Sequence, residues 1–161
     1  MRKGLDFDEV FISSIFERLG LDPKNIMVMR IGFAEIYLDE AKRYVERGDA
    51  VQASEKMYKV AEECIEILSK LYGLPESERA EKEGRWWIEL LSKASWKLSK
   101  TLRESRIEGV WAIAYEIHVW GFHEAKLSIE DIEGDIQYVE WLFKITKEKI
   151  ERDETSPAVS N

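Results

Sequence analysis

The sequence predicts an all-α fold, an antiparallel bundle of about five to six helices. Three observations lead there. Apolar residues recur at steps of three and four along most of the chain, and no run alternates with the period of two that a half-buried strand needs. Two long apolar stripes are separated only by Gly48-Asp49, a joint so short that the helices must fold back on each other. Val110 to Ala125 holds eleven apolar side chains and two histidines among sixteen residues. Its apolar residues fall on more than one face, which is the pattern of a helix surrounded by others.

Taken in order, Asp6 or Asp8 caps a first helix carrying Val10, Phe11, Ile15 and Leu19 and closed by Gly20. Asp22-Pro23 starts the second helix, because proline at its first position gives up an N–H that would have no partner there. Met27, Ile31, Ala34, Leu38, Ala41 and Val45 form its buried stripe, and Gly48 closes it, giving a helix over about 23–47. Asp49 begins the return helix, about 50–72, whose stripe is Ala53, Met57, Val60, Ala61, Cys64, Ile65, Leu68 and Leu71.

Pro75 to Glu83 reads as a polar connection with at most a turn of helix, and the next helix runs from about Gly84 to Arg103 with Trp87, Leu91, Ala94, Leu98 and Leu102 inward. The central helix, about 107–125, follows. Ser128 with Asp131 three residues on is a capping box for the last helix, whose inner face is Ile132, Ile136, Val139, Phe143 and Ile150. Residues 1–150 form one domain, and the polar stretch 151–161 reads as a disordered tail.

A net charge of −8 argues against general nucleic-acid coating and against an anionic membrane surface. The single cysteine, Cys64, permits no internal disulfide, and neither a signal peptide nor a membrane span is legible, so a cytoplasmic protein is expected. Abundant Glu, Lys and Arg with few Gln and Asn point to a thermophilic, archaeal source.

Three strings carry a resemblance. They are Gly48-Asp49-Ala50-Val51-Gln52-Ala53-Ser54-Glu55-Lys56 with Tyr58 and Ala61, Gly84-Arg85-Trp86, and His118-Val119-Trp120-Gly121-Phe122-His123-Glu124-Ala125. Over about residues 30–145 the chain resembles the archaeal PaREP family, small helical proteins of unknown activity. That family is in turn similar, in its helical hairpin, to the HEPN superfamily. The resemblance implies a HEPN-like, often dimeric bundle and leaves the function open. Active HEPN ribonucleases carry an arginine ahead of a histidine with four to six residues between them. Here Trp111, Ala112 and Ile113 precede His118 at that range, Ile117, Glu116 and His118 precede His123, and Arg106 stands twelve residues before His118.

His118, His123 and Glu124 are the catalytic candidates. Two histidines five residues apart on a continuous α-helix point about 140° apart and cannot chelate one metal, so no metal and no cofactor is expected. His123 shares a face with Glu116 and Trp120 and is flanked by Glu124, a pairing suited to proton transfer. The plainer reading makes His118 a hydrogen-bonded core residue and His123 a helix-end residue. Residues 79–106 carry a local charge of +4, and Arg85, Trp86, Lys93, Lys97 and Lys100 are the candidates for holding an anion at a helix start. Ordinary solvated lysines explain that face as well. Cys64 reads as a small buried hydrophobe.

Six tryptophans exceed what a bundle of this size hides. Trp86 with Trp87, and Trp96 with Leu98, occupy faces that cannot both point inward. Exposed aromatic surface therefore predicts an interface. The leading expectation is a non-catalytic module that forms a homodimer or docks a protein partner. The alternative is a nucleotide- or RNA-handling protein using Arg85 and the His118 to Glu124 region, which requires those side chains to converge on one cleft.

Overall fold

The computed structural model describes residue 15 and residues 18–155. Among these there is no strand, and seven α-helices, one π-helical segment and one short 3-10 turn follow the chain after the leading residues. We label them α1 (Pro23–Glu46), α2 (Ala50–Leu71), α3 (Pro75–Glu83), α4 (Ile88–Thr101), α5 (Arg106–Ile117), the π-segment (His118–His123), α6 (Ile129–Ile132) and α7 (Ile136–Thr155). The expected first helix, with Val10 and Phe11, falls almost wholly outside the described residues.

The hairpin is built as its caps dictate. The Asp22 carboxylate accepts from Lys24 N–H at 3.2 Å, and Asp49 accepts from Gln52 N–H at 3.1 Å. Between the two helices Gly48 takes a left-handed φ of 73°, so that Gly48 N–H reaches Val45 O and Asp49 N–H reaches Tyr44 O. Ile31, Ala34, Leu38 and Ala41 of α1 are buried against α2.

The centre of the bundle is α2 rather than the Val110–Ala125 stretch. It touches every other α-helix and the π-segment, and even its Tyr58, Glu63, Glu66 and Ser69 are buried. On α5 and the π-segment, by contrast, Ala112, Tyr115, Glu116 and Trp120 face solvent. The expected central helix is also discontinuous, because its α-helical geometry stops at Ile117.

Three boundaries differ from expectation. Pro75–Glu83 is a helix of nine residues; its mostly charged composition hides the periodicity, although Glu76, Ser77 and Ala80 are buried. Gly84 ends it with φ 71°, so the next helix starts at Ile88. Trp86 therefore packs on the core while Trp87 is 41% exposed, the reverse of the inward Trp87 expected. The Ser128–Asp131 capping box forms, but α6 lasts four residues before the turn at Glu133–Asp135 lets α7 restart at Ile136 and run to Thr155, past the point where a polar tail was expected. Among the described residues no helix is long and apolar enough to cross a membrane.

Candidate functional site

The site begins with a packing requirement on Gly121. A Cβ there would lie 2.1 Å from Ser54 Oγ and 2.7 Å from Ser54 Cβ, so only glycine lets the chain come this close to α2. Ser54 is fully buried, and its hydroxyl donates to Ala50 O at 2.7 Å, which fixes it in place. With the backbone drawn in, the helix widens into six residues of π-helix, His118–His123. A residue five positions on then comes back over its predecessor, whereas in an α-helix it would lie far round the cylinder.

The histidines meet as a result. His123 Nε2 lies 3.0 Å from His118 Nε2, and their rings are nearly perpendicular at 78° with centroids 4.4 Å apart. This overturns the expectation that the two point apart. His118 is 3% exposed and stacks on Tyr58 of α2, centroids 3.7 Å apart and planes 17° from parallel, with the Phe122 ring nearly parallel at 5.8 Å. His118 Nδ1 stands 3.1 Å from Glu55 Oε2. A carboxylate only accepts, so the Nδ1–H of His118 donates to Glu55, and in the neutral ring the Nε2 lone pair faces His123. Glu55, His118 and His123 thus form a chain from a half-buried carboxylate on α2 to an exposed imidazole.

Burial, followed by the nearby Glu62 charge, pushes the Tyr58 hydroxyl well above the usual phenol range, so Tyr58 stays neutral beside His118. The Cys64 thiol, fully buried, is pushed up to about 12 by desolvation. It is the inert, small hydrophobe expected.

The carboxylate of this chain escaped sequence reasoning. Glu116 and Glu124 are the acidic neighbours of His123 in sequence, but both are exposed, and neither carboxylate hydrogen-bonds to a histidine. Glu55 comes from another helix. Its only sequence signal is a place in the Gly48 to Lys56 string, three residues before Tyr58.

The anion candidates lie elsewhere. The Arg85 guanidinium sits 3.6 Å from the Trp87 ring centre, ahead of the α4 start rather than within its first turn. Lys93 pairs with Glu89 at 3.6 Å, Lys97 bonds Glu76, and Lys100 is exposed. Trp86 is half-buried against the core. None of these side chains bonds His118 or His123, whose partners are Glu55 and each other. A cavity of about 210 Å³ lined by Leu71, Tyr72, Lys149, Arg152 and Asp153 contains neither group.

Comparison with known proteins agrees with this architecture. The profile of the archaeal PaREP1/PaREP8 family matches residues 29–143. A crystal structure of a Sulfolobus solfataricus protein is 35% identical with a TM-score of 0.68, covering 73% of this chain and 96% of its own. A solution structure of the same structural-genomics target gives 36% identity and a TM-score of 0.64, over 73% and 91%. No match is found among curated proteins. With the matched span running from within α1 into α7, the chain belongs to the archaeal PaREP1/PaREP8 family.

Proposed function

We propose that this protein is a non-catalytic, HEPN-like helical interaction module that pairs with a second copy of itself through the outer face of α1. The observation that carries the reading is a second apolar stripe on that helix. Opposite the buried Ile31, Ala34, Leu38 and Ala41, residues Met29, Gly32, Phe33 and Ile36 recur at helical spacing, with Met29 42% and Ile36 52% exposed and Val28 beside them at 43%. A globular chain seldom leaves such a stripe uncovered.

Gly32 adds to this. Glycine inside a helix costs about 1 kcal/mol relative to alanine. Among the described residues, no atom beyond its chain neighbours and its own helix's backbone lies within 4 Å of where its Cβ would be, so their packing gives no reason for glycine. A neighbouring helix does. An antiparallel pair of α1 helices centred between Gly32 and Phe33 brings Met29 against Ile36 and Phe33 against the bare Gly32 of the other copy.

The missing arginine ahead of either histidine, and the engagement of Arg85 with Trp87, weigh against a nuclease of the HEPN type. Sedimentation velocity tests the reading. The wild type is expected to sediment as a dimer in the micromolar range, and Ile36→Glu as a folded monomer of unchanged helicity. A wild type that remains monomeric at tens of micromolar contradicts the proposal.

A further inference from the structure

The geometry points to a second property, independent of dimerisation: His118 and His123 form a two-imidazole chelate for a borderline divalent transition ion, Cu²⁺ or Ni²⁺, with Glu55 as the carboxylate that orients it. Imidazole nitrogens bind such ions at about 2.0–2.1 Å, and two of them 3.0 Å apart are then seen from the ion at close to a right angle. That is the spacing of neighbouring positions in square-planar or octahedral coordination and is narrower than a tetrahedral pair requires. The tilt of the rings agrees. Two imidazoles aiming their Nε2 atoms straight at each other across 3.0 Å would hold their centres a ring radius further out on each side, well beyond the observed 4.4 Å. At least one ring leans off that line instead, as a ligand of a shared ion must.

The surroundings are those of a metal ligand. His118 donates its other ring N–H to Glu55 at 3.1 Å, which fixes the tautomer that leaves Nε2 free to ligate. Tyr58 stacks on the ring at 3.7 Å, and Phe122 lies nearly parallel to it at 5.8 Å. Gly121 against Ser54 sets the π-segment that brings the second ligand over the first. For His123 to ligate, its Nε2 proton moves to Nδ1, so both rings bind while neutral and no net proton is lost. His123 is exposed, and among the described residues no third histidine, cysteine or carboxylate completes a set of three. The remaining coordination positions therefore belong to water or to an incoming oxygen or nitrogen ligand. An open cis pair of this kind suits binding and polarising a small anion at the surface.

The experiment titrates untagged, full-length protein with CuCl₂ and NiCl₂ by calorimetry and records the electron paramagnetic resonance spectrum of the Cu²⁺ complex. The expected result is one ion per chain, hyperfine structure from two nitrogens, and loss of that component in His123→Ala, whose exposed position leaves the fold intact by circular dichroism. Glu55→Gln is expected to keep the two-nitrogen signature while weakening binding about 10- to 100-fold. Equal affinity and the same nitrogen count in wild type and His123→Ala, or no binding by the wild type, overturns the proposal.

Discussion

Gly121 and Ser54 touch so closely that a single methyl group on Gly121 would lie 2.1 Å from the serine hydroxyl. On this contact depends the π-segment, and through it the meeting of His118 with His123. Gly121→Ala is expected to destabilise the protein by about 1–3 kcal/mol, the usual cost of forcing atoms into a filled interior. Ser54→Gly removes both clashing atoms and should recover most of the loss in the double variant. Chemical denaturation of the four proteins in the cycle measures this, and additive effects would show that the two positions are not coupled.

Glu55 is the acceptor for a buried ring N–H, and removing it strands that donor. Glu55→Ala is expected to cost about 1–3 kcal/mol, whereas Glu55→Gln, whose amide oxygen still accepts, should cost less. Denaturation midpoints for the two variants, compared at equal slope, check the ordering. A Gln variant as unstable as Ala would argue that the charge rather than the hydrogen bond matters.

The Cys64 thiol is fully buried and its ionisation is pushed up to about 12. Almost no thiolate exists at pH 8, and none of it is reachable. A disulfide reagent is therefore expected to label the native protein at the rate of unfolding and the denatured protein at once. Rapid stoichiometric labelling under native conditions would contradict the burial.

Lys42 ties α1 to α7 through a 3.0 Å bond to Glu140, and that bond is the main reason the Glu140 carboxyl sits below its usual range. A carboxyl whose folded value is depressed stabilises the fold above its unfolded value and loses that contribution as pH falls through the folded one. Both side chains are partly exposed, at 42% and 31%, so the contribution is small, about 0–1 kcal/mol. Glu140→Gln is expected to lower stability slightly at pH 7 and to match the wild type in strong acid. A difference that grows on acidification would contradict the assignment.

Much of this architecture is written in the sequence. Asp22-Pro23, Gly48-Asp49 and Ser128 with Asp131 act through local hydrogen bonds and local dihedral preference, and each caps a helix where the residues say it should. What the sequence hides depends on a second helix. The π-segment exists because Gly121 meets Ser54 sixty-seven positions earlier, and the acidic partner of His118 is Glu55, sixty-three positions away, rather than the adjacent Glu116 or Glu124. The Trp86 and Trp87 reversal has a smaller cause. Starting the helix at Gly84 rather than Ile88 turns every face in front of it.

The register proposed for the α1 pair is tested most directly by a cysteine at its centre. Gly32→Cys puts two thiols next to the twofold axis, while the native Cys64 is buried and silent. Mild oxidation of that variant is expected to give a disulfide-linked dimer in high yield, and Lys100→Cys, on an exposed position of α4, to give little. Cross-linking of Gly32→Cys at no more than the Lys100→Cys level, in protein that sediments as a dimer, would contradict the α1 interface; in protein that sediments as a monomer it would contradict self-association altogether.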